Sequence, residues 1–287
     1  MIPPTFEYHA PTSASEAIKL LSSLGGDAKL LAGGHSLLPM MKLRFAQPAH
    51  LIDLNRIESL CGVREQGDEI VIGAMATENE IIASPLLQQK VPLLPEAARQ
   101  IADPQVRNRG TIGGDIAHGD PANDHPALSL ALGATFVVDG PKGRRTVKAE
   151  NFFHGTYQTD LADDEILSEI RVPAFAPRTG YAYEKLKRKT GDWATAAAAV
   201  VLRMKGDRDE SVRIALTNVA PTAVRAQAAE QAITDKQLTV EAIADAVAKA
   251  MSVCDPPEDL RGDREYKTAM AGQMVRRALA VAASRCR

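Results

Sequence analysis

Apolar residues at Ala17, Leu20, Leu21 and Leu24 recur at i, i+3, i+4 and i+7, which predicts an amphipathic helix near the start of the chain. Ser13 precedes Glu16 by three residues, the spacing of a capping box. Gly25-Gly26 can end the helix in a left-handed turn. Residues 28–32 then read as a short buried strand, 37–41 as a short helix with Pro39 in its first turn, and 50–54 as the next strand. Residues 1–55 therefore predict a small α/β unit. A second pattern follows. Residues 69–74 are strand-like and 95–101 helical in composition. Two short runs, 135–139 and 144–147, flank Gly140-Pro141-Lys142-Gly143, a hairpin signal. Residues 166–172 read as a further strand, and 173–178, with two prolines, as a linker. Beyond the linker, 181–187, 196–204 and 211–219 read as three strands. The tail is helical, with one stripe at Val240, Ile243, Val247 and Met251 and another at Met270, Met274, Ala278 and Val281. The pattern predicts an α+β chain in three parts, 1–55, 56–177 and 178–287.

Composition narrows the function classes. The chain has 287 residues, 45% hydrophobic and 24% charged, with 34 basic against 36 acidic side chains and a net charge of −2. That balance argues against a general nucleic-acid binder, which would carry a basic surplus. No apolar stretch reaches bilayer-spanning length, and the opening residues lack the charged start and apolar run of an export signal. A soluble, cytoplasmic product is expected. Cys61, Cys254 and Cys286 are odd in number and widely spaced. They suit neither a disulfide framework nor a zinc site built on Cys-x-x-Cys, and an iron–sulfur cluster needs four thiolates. Reduced, partly buried thiols are expected, with no metal site in this chain.

The candidate chemistry lies in two glycine turns, Ala32-Gly33-Gly34-His35-Ser36 and Thr111-Ile112-Gly113-Gly114-Asp115. Each pairs two glycines with a hydroxyl residue. Glycine permits positive φ and removes the Cβ that would hold an anion away, so successive N–H groups can converge into an anion-binding nest. A helix starting near Ser36 would add its free N–H groups and positive dipole end. Two such nests could clamp a pyrophosphate from both sides. Taken singly, each turn reads as a plain structural bend, and neither matches Gly-x-Gly-x-x-Gly or the phosphate loop with its lysine; it is the two together, each with a Ser or Thr, that point to a dinucleotide.

Residues 116–126, downstream of the second turn, are dense in donors and acceptors. One reading makes His118, Asp120, Asp124 and His125 metal ligands. Another makes the segment a hydrogen-bonded loop with an Asx turn before a helix at Pro126. A third has it contact the ribitol, ribose or adenine of a bound cofactor. The lack of a helical His-x-x-x-His or a cysteine partner favours the loop over the metal.

These residues resemble the FAD-binding medium subunits of the molybdenum hydroxylase, or xanthine dehydrogenase, family. The likeness spans the chain. It is carried by Met1-Ile2-Pro3-Pro4, residues 32–54, Ile101-Ala102-Asp103-Pro104-Gln105, residues 111–124, residues 183–189 and Leu216-Thr217-Asn218-Val219-Ala220. Residues 34–42 and Gly191-Asp192-Trp193-Ala194-Thr195-Ala196 resemble its carbon monoxide dehydrogenase branch more narrowly. The resemblance implies two N-terminal FAD-binding subdomains and a C-terminal domain with a three-stranded antiparallel sheet and helices. It carries pyrophosphate contacts over to Ala32, Gly33, Gly34, His35 and Ser36, and to Thr111, Ile112, Gly113, Gly114 and Asp115. Many relatives have Asn where Asp115 stands, so Asp115 is expected to accept from a hydroxyl or a backbone N–H rather than face phosphate. His118 and Asp124 match positions near the cofactor, and Leu167 and Lys185 positions flanking the isoalloxazine. Trp193 is the sole tryptophan. It reads either as a packed core or interface residue or as an indole over the flavin, where relatives often have Tyr. Strand alternation sends Lys185, Lys187 and Lys189 to one side, by default a solvated face, with Lys185 the candidate for stabilising negative charge on a reduced flavin.

The implied function is electron transfer in an aerobic carbon monoxide dehydrogenase. CO would be oxidised at a molybdenum–copper molybdopterin centre in a large subunit. Two [2Fe-2S] clusters in a small subunit would relay the electrons, and FAD here would pass them to a quinone-type acceptor. The complex would be a dimer of heterotrimers, in the cytoplasm or at the inner face of the cytoplasmic membrane. Competing readings are the flavin subunit of another molybdenum hydroxylase acting on an aldehyde, purine or N-heterocycle, a free-standing FAD oxidase with His35 as a covalent anchor, and a non-enzymatic scaffold.

Overall fold

The computed structural model describes residues 2–206 and 208–286. The first sheet is all parallel. It is built from β1 (Glu7–His9), β2 (Ala28–Leu31) and β3 (His50–Asp53) in the order β1-β3-β2, with α1 (Ala14–Leu24) and α2 (Leu37–Lys42) in the connections. The Ser13 hydroxyl accepts the Glu16 N–H at 3.2 Å and starts α1. Gly25, at φ 59°, ends it. Ala17 and Leu21 bury the inner face of α1 with Ala28, Ile52 and Leu54.

The second sheet is antiparallel, in the order β4-β5-β10-β6-β7. Its outer strands are β4 (Val63–Gln66) with β5 (Glu69–Gly73), and β6 (Thr135–Gly140) with β7 (Gly143–Lys148). Between these pairs the chain forms six helices: α3 (Glu78–Ala83), α4 (Pro85–Lys90), α5 (Leu93–Ala98), α6 (Pro104–Arg107), α7 (Ile112–His118) and α8 (Asp124–Leu132). A small pair, β8 (Phe153–Gly155) and β9 (Gln158–Thr159), precedes the central strand β10 (Ile166–Pro173). Phe136 and Phe152 meet edge to face, their centroids 4.6 Å apart, in the core beneath this sheet.

The third sheet is formed by β11 (Thr179–Leu186), β12 (Ala196–Lys205), β13 (Arg208–Thr217) and β14 (Val224–Arg225). It has one strand more than the three expected, because Val224-Arg225 pairs with Leu216 and Ala215 before the chain turns into a helix. Residues 196–200 are all buried because both faces of β12 are covered. Ala197 and Ala199 face the core that contains α8, while Ala196, Ala198, Val200 and Leu202 face α9 (Gln227–Ile233), α10 (Val240–Met251) and α11 (Arg264–Ser284). Every residue of α8 is buried, as expected of a helix held between two sheets. The predicted stripe on α10 begins one turn too early. Val240 is its first residue and is exposed, whereas Ala246, Val247 and Ala250 are buried.

Gly180 sets how closely α11 lies on β11. A Cβ built there would stand 1.9 Å from the Ala282 carbonyl oxygen and 2.6 Å from Cys286 Sγ. At Gly26 a Cβ would meet nothing within 4 Å. In urea denaturation Gly180→Ala should therefore lose at least about 2 kcal/mol, an overpacking penalty, and Gly26→Ala should stay within about 0.5 kcal/mol of the parent. Equal losses would contradict this packing.

Candidate functional site

The two glycine turns meet in one wall of a cleft of about 960 Å³, a large volume for a small-molecule site. Backbone packing brings them together. A Cβ on Gly33 would stand 2.2 Å from the Arg109 carbonyl oxygen and 2.9 Å from Gly110 Cα, so only glycine lets the first turn lie against the segment leading into the second. That segment is pinned in turn. Glu78 N–H donates to the Gly110 carbonyl (3.1 Å), Ile112 N–H to Ala76 (3.0 Å) and Gly113 N–H to Ala74 (2.9 Å).

The turns differ in conformation. In the first, Gly34 has φ 77°. Among the described residues, the N–H groups of Gly33, Gly34, His35 and Ser36 have no acceptor. Ser36 stands at the N-cap of α2, yet its hydroxyl makes no capping bond. The second is not a left-handed nest. Thr111 is the N-cap of α7, its hydroxyl accepts the Gly114 N–H (3.2 Å), and its carbonyl accepts the Asp115 N–H (3.0 Å). Its glycines serve close packing: a Cβ on Gly113 would meet Ala74 Cβ at 2.4 Å, and one on Gly114 would meet Thr111 Oγ1 at 2.8 Å and Ala32 Cβ at 3.4 Å.

Ala32, Gly33, Gly34, His35, Ser36, Thr111, Gly113, Gly114, Asp115, His118, Asp124, Leu167, Lys185 and Trp193 all line this cleft. Ile112 does not. It is the first residue of α7 and points into the core, where it is buried. Leu167 sits on β10 at a register shift before Glu169, which brings the strand to the cleft wall. The expected solvated lysine face holds for Lys189, which is exposed, but not for the other two. Lys185 is 1% exposed and donates to Asp124 Oδ2 at 2.7 Å, while Lys187 donates to the Gln100 carbonyl at 2.8 Å. The core reading of Trp193 fails, since the residue is 51% exposed. Its ring lies under the Arg261 guanidinium, and its loop is tied down by Asp192, which accepts from Arg188 (2.7 Å) and Arg261 (2.8 Å). Burial opposes ionisation of Asp192, but these two guanidinium groups prevail and hold its carboxyl at about 2.

The floor of the cleft leads into a buried titratable cluster whose pairings, and its member Glu78, no sequence motif marked. The Asp124 carboxylate accepts from both Lys185 and the Tyr183 hydroxyl. His125 lies 2.8 Å from Glu78 Oε1, both fully buried. Burial pushes the imidazole toward neutrality, but the Glu78 carboxylate outweighs it and lifts the pKa to about 9. Among the described residues, Asp115 Oδ1 is out of contact with solvent and has no hydrogen-bond partner. Desolvation raises its carboxyl to about 8 against the pull of His125, with Glu78, Asp124 and Asp120 adding to the rise. The His118 ring meets that of Tyr157 at a tilt of 45°, centroids 4.9 Å apart, and burial lowers its pKa against the opposing charge of Asp120. Asp120 accepts from the Ala122 N–H in an Asx turn. The four residues of the metal reading thus have separate partnerships.

Asp115 and His125 both bind protons more tightly in the folded chain than in the unfolded one. The folded state holds an extra proton on Asp115 between about pH 4 and 8 and on His125 between about 6.5 and 9. Stability therefore falls as pH rises through these windows. Asp115→Asn removes the first contribution. Between pH 5 and 8, its loss of denaturation free energy should be smaller than that of the parent chain, measured without cofactor; equal losses would contradict a neutral Asp115.

Residues 4–175 match the family model described as the FAD binding domain in molybdopterin dehydrogenase, and residues 181–282 the carbon monoxide dehydrogenase flavoprotein C-terminal domain. The chain is 65% identical to the carbon monoxide dehydrogenase medium chain of Hydrogenophaga pseudoflava over 100% of both chains. It is 38% identical to the nicotine 6-hydroxylase medium subunit of Paenarthrobacter nicotinovorans, covering 98% of this chain and 99% of that one. A solved carbon monoxide dehydrogenase from Hydrogenophaga pseudoflava, which lacks the molybdenum–pyranopterin moiety of its cofactor, superposes with a TM-score of 0.99 at 67% identity over 100% of both chains. With both domain models matched in order, this chain belongs to the FAD-binding flavoproteins of the molybdopterin dehydrogenase family.

Proposed function

We propose that the chain is the FAD-binding, electron-transferring medium subunit of an aerobic carbon monoxide dehydrogenase. The observation that carries this reading is one cleft that gathers both glycine turns, the Asp124–Lys185 pair and Trp193, in a chain matched end to end by a carbon monoxide dehydrogenase medium chain. The cleft residues fit FAD. Four N–H groups without acceptors at Gly33, Gly34, His35 and Ser36 suit a diphosphate, and so does the unspent Ser36 hydroxyl. The neutral Asp115 removes the repulsion that a carboxylate would bring to that anion. Residues 1–55 and 56–177 form the two cofactor-binding parts and 178–287 the C-terminal domain.

Bound FAD supplies a redox junction that accepts electrons singly and releases two. The chain binds and orients it. Thr111, Gly113 and Gly114 hold the second turn close to the first, with Ile112 anchoring it from the core. His118 and Asp124 would border the nucleotide, and Leu167, Lys185 and Trp193 the ring, since all five line the cleft. Lys185, fixed by Asp124, places a cation where it favours negative charge on the reduced ring. No residue of this chain acts on the substrate. CO would be oxidised at a molybdenum–copper molybdopterin centre in a large subunit, and the electrons would arrive through [2Fe-2S] clusters in a small subunit. The acceptor is quinone-type and the assembly a dimer of heterotrimers. The complex would lie in the cytoplasm or at the inner face of the cytoplasmic membrane; among the described residues no helix is long and apolar enough to cross a membrane.

A second reading keeps the flavin role and changes the substrate, supported by the full-length match to a nicotine 6-hydroxylase subunit. The purified complex of this chain with its partner subunits decides between them. Acceptor reduction should follow CO addition and not addition of aldehyde, purine or nicotine; the reverse would favour the second reading. In the same complex Gly114→Val should cut FAD content at least tenfold with iron content unchanged. Full FAD retention would contradict the proposed cradle.

A further inference from the structure

We propose a divalent transition-metal site of the zinc class on the N-terminal sheet, formed by Glu7, His9 and His50. Strand register creates it. Glu7 and His9 are two apart on β1 and share a face. β1 and β3 are parallel, with Glu7 directly opposite His50, so the third side chain joins the same face. His50 Nδ1 lies 3.2 Å from His9 Nε2 and 3.3 Å from Glu7 Oε2. One ligand atom from each residue falls within 4.8 Å of the others, and among the described residues this is the one such group of three. Donor atoms about 2.0–2.1 Å from a tetrahedral zinc ion lie about 3.3–3.4 Å from one another. Two edges of the triangle therefore already have nearly the length that coordination requires.

Hydrogen bonding alone accounts for less. His50 Nδ1 carries at most one proton and has two neighbours at bonding distance, so a single N–H serves only one of them. A cation at the shared point engages all three. Two imidazoles and a carboxylate are a known zinc donor set, which leaves a fourth position for water. Solvent can deliver the ion, because the Glu7 side chain is 75% exposed. None of the three residues lines the cleft, so the site is separate from the proposed cofactor cradle. On the opposite face of the same strand pair the Tyr8 hydroxyl donates to Asp53. A metal on the first face would tie β1, a three-residue edge strand, to the centre of its sheet from both sides.

The test uses the full chain, stripped with a chelator and titrated with zinc chloride in a calorimeter. One zinc ion per chain should bind, and His50→Gln and His9→Gln should each weaken it at least tenfold. His154→Gln removes a comparable exposed histidine–carboxylate pair and should leave it unchanged. Equal affinity in all three variants, or no saturable binding to the parent chain, would overturn the site. Should the β-strand variants fail to fold, diethyl pyrocarbonate labelling of the parent chain gives the answer. Zinc should protect His9 and His50 and leave His154 reactive; protection of neither would overturn the proposal.

Discussion

The cleft depends on a contact that has no side chain in it. The backbone of Gly33 lies against the backbone of Arg109 and Gly110, and any Cβ at Gly33 would overlap the Arg109 carbonyl oxygen. This contact joins the parallel N-terminal sheet to the start of α7, which itself hangs on the carbonyls of Ala74 and Ala76 at the exit of β5. Three segments distant in sequence thereby become one wall. The division of labour between the turns follows from their hydrogen bonds. The first keeps its N–H groups free. The second has given its own to the protein and contributes shape.

Beneath the wall, the buried charges balance by pairs. Lys185 answers Asp124, protonated His125 answers Glu78, and Asp115 stays neutral at ordinary pH. A buried ion left without a partner would be far more costly than any of these pairs. The arrangement also explains how α8 can begin with Asp124 and His125 and still be buried on every side. The same cluster fixes Lys185 before any ligand arrives, so its cation is set by the fold. Trp193 is held differently, at the mouth, by a loop that Asp192 fastens to Arg188 and Arg261.

Much of this was legible in the sequence. The helix at Ser13–Leu24, the 135–148 hairpin and the long strands of the third sheet follow from periodicity and turn residues, since each is stabilised by neighbours close in sequence. The two glycine pairs were visible as motifs, but their different conformations were not. A Gly-Gly pair after Thr reads the same whether it forms a nest or the first turn of a capped helix, and the choice is made by Ala74 and Ala76. Lys185 looked like one member of a solvated row because alternation says nothing about what packs on a strand. His125 stood out in its donor-rich segment, but its partner Glu78 carries no local signal; they meet 47 residues apart, through packing alone. The family came from likeness over the whole chain, and its branch from two short stretches, 34–42 and 191–196.

The joint role of the two turns is tested most directly by amide hydrogen exchange of the full chain with and without FAD. Slowed exchange at 33–36 is expected together with further protection around 111–115, since one ligand would close both sides of a shared wall. Protection confined to one turn, or to neither, would contradict a single cradle built on the Gly33–Arg109 contact.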